Sequence, residues 1–384
     1  PGSTGPSTFV DELEADYGNI RAALEWAAVA APCAGLRLLA RMQDLFLVLG
    51  QADGRRLAGV VLERCPTRDR TRAHVQLCAG ALAWWTGDPD AACRILTETR
   101  DLGAELGERE IEGWAWMFEG LLEVFGGSPS RARRNFEQAR RLHHELGVRT
   151  GEARATAAMG LTSLLEGDRA KAQSLVEEAL DLAVALDDGF AQGQSHTYLG
   201  MIAQAGADER AATSHYRSAV TCLRPYRDVT LLPLSLVGQA LVLARRDPAT
   251  ALRVVSAASA VRSRVGGDFP PLARARVDDV RRLGEAALGA EADRAWKDGL
   301  HLGLDDTIAL AFGTRRARPV AADGLSERER EVARLAAEGL SNKEIAAQLH
   351  LSVRTVESHI RHVLTKVGLA NRTQLAAWIR QRNQ

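Results

Sequence analysis

An all-α fold is predicted, a helical-repeat superhelix followed by a separate module of four short helices. Three observations carry this expectation. Glycines recur every 40 residues at Gly80, Gly120, Gly160 and Gly200, and an alanine follows each by 12 (Ala92, Ala132, Ala172, Ala212). Between glycine and alanine sits a turn-forming cluster: Gly87-Asp88-Pro89, Gly127-Ser128-Pro129, Gly167-Asp168 or Ala207-Asp208. The last 60 residues, 325–384, contain two successive helix-capping patterns. A chain of 384 residues exceeds the usual size of one hydrophobic core, so two domains are expected. We place them at residues 8–312 and 325–384, with a linker over 313–324.

In chain order, Pro1 to Ser7 has no charged stretch followed by an apolar one and reads as a linker rather than a signal peptide. Phe9 to Ala28 follows as an amphipathic helix with Leu13, Ile20, Leu24 and Ala27 on one side. A helix pair is expected around Leu45 to Leu62, turning at Asp53-Gly54. The four regular units come next, each helix, turn, helix. A fifth, slightly out of step, has Gly238, the turn Asp247-Pro248 and Ala251. Small residues on the facing helices allow close approach, while Phe136, Val176 and Tyr216, each four after the alanine, continue one helical face.

This pattern of Gly, Ala, bulky residue and Ala resembles the tetratricopeptide repeat over about Thr71 to Ala260, with Trp116 the clearest aromatic position kept. That family's usual period is 34, so the longer one here is expected to add residues between units. The resemblance implies a superhelix whose concave face takes a peptide, a partner protein or a small-molecule effector. Trp84, Trp85, Trp114 and Trp116 are read as core, with ligand stacking the alternative. His143-His144 is read as a solvated helix face, since adjacent helical residues diverge by about 100°.

Composition narrows the function. The chain is 46% hydrophobic and 26% charged, and no stretch offers the roughly 20 apolar residues of a membrane helix, so no membrane partner is expected. The five cysteines form no CxxC pair, and their odd number suggests reduced thiols in a cytoplasm. No metal motif, nucleophile elbow or phosphate-binding loop is present, so no cofactor and no enzymatic activity are expected. Residues 314–384 hold 13 Lys and Arg against 7 Asp and Glu, a net of +6 that leaves −6 for the remainder. A basic end on an acidic body points to nucleic-acid binding at that end.

The basic end explains itself residue by residue. Ser326 with Glu329 forms a capping box for a helix through Val332, Leu335 and Ala336 that stops at Gly339. Ser341 with Glu344 forms the next, for a short helix with Ile345, Ala346 and Leu349 inward. After the turn His350-Leu351, Ser352 caps a third helix whose Val356, Ile360, Val363 and Val367 share a buried face. Glu357, Ser358 and Arg361 on its other side would then face base edges in a major groove. Lys343, Arg354, Thr355, Lys366 and Arg372 stand where they could hold phosphates.

Three runs, Arg328 to Val332, Ser341 to Ala346 and Thr355 to His359, follow each other in the order and spacing of the LuxR-type helix-turn-helix, which this segment resembles. The resemblance implies a bacterial, sequence-specific transcription regulator that binds double-stranded DNA. It also implies a possible homodimer through the fourth helix (Leu375, Ala376, Ile379), although these residues could equally close the module's own core. Glu357 departs from the family, where lysine is common. The run Phe9 to Ala28 looks like the segment after the nucleotide-binding domain of large LuxR-type regulators, which would make this chain a piece of such a protein. The alternative is a helical-repeat adaptor whose main activity is protein binding.

Overall fold

The computed structural model describes residues 6–313, 327–349, 353–367, 369 and 371–382. These divide into two compact units, Pro1–Leu300 and His301–Gln384. Among the described residues there is no strand, and no helix is long and apolar enough to cross a membrane.

The first unit opens with α1 (Pro6–Ala30), α2 (Pro32–Leu49) and α3 (Gln51–Arg64). Leu24 and Ala27 of α1 are buried, as the amphipathic pattern required, while the side chain of Leu13 lies outside the described residues. The turn between α2 and α3 falls at Gly50, not at Asp53-Gly54. Gly54 is instead a buried helical residue whose missing side chain makes room for Phe46. The expectation of reduced thiols is corrected at one pair, because Cys33 and Cys65 form a disulfide with Cα atoms 5.1 Å apart. The α2–α3 hairpin brings together two residues 32 positions apart, which no local spacing could reveal.

Five helix pairs follow, α4 (Arg70–Trp85) with α5 (Pro89–Leu106), α6 (Arg109–Phe125) with α7 (Pro129–Glu145), α8 (Arg149–Leu165) with α9 (Arg169–Ala185), α10 (Gly189–Ala205) with α11 (Glu209–Leu223), and α12 (Leu231–Leu243) with α13 (Pro248–Arg264). The 40-residue period is in fact two half-periods of 20. Residues with left-handed backbone stand at 87, 107, 127, 147, 167, 187, 207 and 227, five of them glycine and the others Asp187, Ala207 and Arg227. Each of the first seven ends a helix in the same way. The N–H of the following residue donates to a carbonyl five back, as from Asp88 to Ala83, Ser128 to Glu123 and Asp168 to Ser163 (2.7 to 2.9 Å). Asp88, Asp168, Asp188 and Asp208 then accept an N–H of the next helix and so start it. The residues beyond a 34-residue period therefore lengthen the helices, which run 17 residues from α6 to α10, and the turns stay short.

The glycines do more than admit an alanine. A Cβ at Gly80 would come within 2.7 Å of Leu96, and one at Gly200 within 2.5 Å of Tyr216; Gly120 and Gly160 likewise seat Phe136 and Val176. Each glycine is thus the socket for the bulky residue 16 positions later, and all four of those residues are fully buried. The small-residue contact is with a side chain rather than between two backbones alone.

His143 corrects the solvated-face reading. It is fully buried, packed at a tilt against Trp114 with 4.7 Å between centroids and roofed by Gly113 and Gly151, whereas His144 is exposed. Among the described residues neither ring nitrogen of His143 has a hydrogen-bond partner, and burial, aided by the nearby Arg154 cation, pulls its pKa down to about 4. A base with a depressed folded pKa binds fewer protons folded than unfolded. Its contribution is therefore intact above about pH 6.5 and is lost as pH falls toward 4, by up to about 3 kcal/mol. We expect His143→Phe to be less acid-sensitive than the parent across that window in denaturant melts; equal pH dependence of the two would contradict the assignment.

The superhelix closes on itself instead of remaining an open arc. Helices α14 (Pro271–Leu288) and α15 (Glu291–Leu300) pack on α13, and α14 also reaches α6. At the closure Arg262, 1% exposed, donates to the carbonyls of Trp85 (2.8 Å), Val229 (3.0 Å) and Asp268 (2.6 Å). The backbone N–H of Asp268 donates to the same Trp85 carbonyl, and that of Ala52 to Val265. The concave face thereby becomes the wall of a cavity that Trp84 and Trp85 help to line.

The second unit contains α16 (Leu304–Phe312) and the four helices α17 (Glu327–Ala337), α18 (Asn342–Leu349), α19 (Val353–Lys366) and α20 (Arg372–Arg382). Its core joins Val332, Leu335 and Ala336 of α17, Ile345, Ala346 and Leu349 of α18, Val356, Ile360 and Val363 of α19, and Leu375 of α20. These are the inward residues expected from periodicity. Except for Gly313, the expected linker 313–324 lies outside the described residues.

Candidate nucleic-acid interface

The helix-turn-helix is built by local bonds that the sequence encodes directly. Helix α17 ends where Gly339 turns left-handed at φ +95°, and the N–H of Leu340 reaches back to the Leu335 carbonyl at 3.2 Å. Two residues on, the Ser341 N–H donates to Glu344 Oε2 at 2.7 Å and the Glu344 N–H donates to Ser341 Oγ at 3.3 Å, the reciprocal box expected for α18. Those bonds hold the Glu344 carboxyl below the usual glutamate range. Of the other expected caps, Ser326, the turn residues His350 and Leu351, and Ser352 lie outside the described residues.

Helix α19 presents two faces. Val356, Ile360 and Val363 are buried, with Leu364 and Val367 packed beside them. Glu357 and Arg361, one helical turn apart, are exposed together on another face. Lys343 is exposed in the first turn of α18. The side chains of Arg354, Thr355, Ser358 and Lys366 lie outside the described residues, as does that of His362. His359 is half-buried.

Arg372 occupies a position that the sequence did not reveal. It is half-buried at the start of α20, donates to Asn342 Oδ1 at 2.8 Å and also donates to the Leu340 carbonyl. Leu340 lies in the α17–α18 turn and Asn342 is the first residue of α18, so Arg372 fixes the entry of α18 against α20. Asn371 caps α20 by accepting the Gln374 N–H at 3.0 Å. Leu375 is fully buried and Ile379 packs on the same core, so Leu375 closes the module itself.

A short capped helix followed after three residues by a longer helix with one buried apolar face and exposed charged residues on another, the two packed with flanking helices, defines a helix-turn-helix domain. Residues 323–379 match the luxR family of bacterial regulatory proteins (GerE). The chain therefore carries a LuxR-family helix-turn-helix domain at its C-terminus.

Among relatives, a Mycobacterium bovis protein named as an HTH-type transcriptional regulator, Mb0914c, is 48% identical over 99 residues, 25% of this chain and 11% of that protein. The oxygen regulatory protein NreC of Staphylococcus aureus is 48% identical over 54 residues, 14% of this chain and 25% of NreC. The match thus spans about a tenth of the one relative and a quarter of the other. Among solved structures, aspartyl phosphate phosphatase F of Bacillus subtilis aligns over 97% of this chain and 98% of its own, at 11% identity and a TM-score of 0.39.

Proposed function

We infer that this chain is a sequence-specific, DNA-binding transcription regulator of bacteria that acts in the cytoplasm, where a disulfide such as Cys33–Cys65 is the exception. The observation that carries this reading is the luxR-type module, with α19 exposing Glu357 and Arg361 away from its buried face. In this reading α19 enters the major groove. Arg361 bonds a guanine edge, Glu357 accepts from a cytosine amine, and Ser358 adds a further base-facing hydroxyl. Lys343, Arg354, Thr355 and Lys366 hold phosphates, and the N-terminal end of α18 adds backbone N–H groups. Arg372 supports this set by fixing the turn and turns any remaining donor to the backbone. In this reading the module starts at residue 325, after a linker over 313–324, and binds paired half-sites as a homodimer. The repeat unit receives an effector, and the chain as a whole works by binding rather than catalysis.

Phosphate contacts release counterions, so their number is read from salt dependence. For Lys343→Ala we expect weaker binding to all duplexes alike and a log-log salt slope smaller by about 1. Fluorescence anisotropy across a salt series checks this. An unchanged slope would remove Lys343 from the phosphate set.

A further inference from the structure

The closed ring of repeats leaves a cavity of about 290 Å³ walled by α4, α6, α8, α10, the start of α12, and the segment leading into α14. This is close to the lower end of ligand pockets, roughly 300 Å³. Most of the wall is apolar, and much of it aromatic, including Trp84, Phe118, Phe190 and Tyr198.

The polar groups on this wall fall into two sets. Asp228 accepts the N–H groups of Thr230, Leu231 and Leu232, and Arg262 donates through both terminal nitrogens to the three carbonyls of the closure, its Nε alone being buried and unbonded, so both charges are engaged by the fold. Arg154 is different. It lies against the faces of Trp114 (4.9 Å) and Phe190 (4.8 Å), and among the described residues it has no hydrogen-bond or ion-pair partner, its Nε being buried and unbonded. Burial lowers its pKa, opposed by Asp188, Tyr198 and Asp228. Asp188 is itself engaged by the Thr150 hydroxyl and the Ala191 N–H.

Gln194, 2% exposed, donates to Tyr198 Oη at 3.3 Å, and among the described residues its buried Oε1 accepts no hydrogen bond. Besides the buried, unbonded Nε1–H of Trp85, the wall thus holds one cation and one acceptor with no partner among the described residues, set in a mostly apolar space. Buried polar groups left this way are costly to the fold and gain most from a ligand that satisfies them.

We propose that this cavity binds a small, mainly apolar carboxylic acid that also bears a hydroxyl or N–H group. The carboxylate sits on the Arg154 guanidinium, the donor reaches Gln194 Oε1, and the apolar body lies on the aromatic wall. This deepens, and rests on, the reading that the repeat unit receives an effector.

The test is calorimetric and fluorescence titration of the full chain, without DNA, with 4-hydroxyphenylacetate, indole-3-acetate and octanoate, against 4-hydroxyphenylacetamide and tyramine. At least one of the acids should bind and quench tryptophan emission, about tenfold or more tighter than the amide or the amine. Arg154→Gln should bring the acid down to the level of the amide. Gln194→Leu, a second variant in case the first misfolds, should weaken the hydroxylated acid and spare octanoate. No binding by any acid, or equal binding of acid and amide, would overturn the site. Repeating the titrations with DNA separates the two readings: acid binding that leaves DNA affinity unchanged keeps the site and overturns its role as an effector site.

Discussion

Arg262→Met should open the ring of repeats. Arg262 is 1% exposed and holds the carbonyls of Trp85, Val229 and Asp268, groups that the chain separates by up to 183 residues. Methionine fills similar space but donates nothing, so three carbonyls lose a charged donor at once. Each buried acceptor left without its donor typically costs about 1–3 kcal/mol. The loss should be local. In hydrogen exchange, the start of α3, the end of α4 and residues 265–270 are expected to lose protection, while α6 to α11 and the C-terminal module keep theirs. Unchanged protection at α3 and α4 would mean that side-chain packing, not Arg262, closes the ring.

The second large effect tests the glycine sockets. Phe136 is fully buried, and its ring occupies the space where a Gly120 side chain would be. Phe136→Ala should cost about 3–5 kcal/mol by leaving that socket empty. Gly120→Ala offers the sharper comparison. In an exposed helix this change gains about 1 kcal/mol from backbone propensity, but here the added methyl meets a ring that cannot move, at an overpacking cost of about 1–3 kcal/mol. We expect Gly120→Ala to destabilise, and Phe136→Leu to lose part of its own cost when combined with it, as measured by a double-mutant cycle of denaturant melts. A stabilising Gly120→Ala would contradict the socket account.

Both effects show what the sequence could and could not disclose. The 40-residue period was legible because the sockets must be glycine. Its division into 20s was hidden because left-handed turns end helices with Gly107 and Gly147 but also with Asp187, Ala207 and Arg227, so no single residue type marks them. Ring closure, the cavity and the Cys33–Cys65 disulfide depend on residues far apart in the chain, such as Arg262 and Trp85 at 177 positions. His143 was misread for the same reason, since its burial is set by Gly113 and Gly151 on neighbouring helices. In the C-terminal module the Ser341–Glu344 cap and the inward residues of the helices were legible because capping and helical periodicity are local. Arg372 was the exception, since its bonds to Leu340 and Asn342 span the module.

The central claim is that α19 reads base sequence. It is tested most directly by selecting random duplexes with the parent chain and with Arg361→Ala, then sequencing the bound fractions at two salt concentrations. The account predicts that the parent enriches a defined motif and that the variant loses discrimination at one position of it, by about 1–3 kcal/mol. Enrichment of no motif by the parent, with binding that merely fades as salt rises, would contradict it.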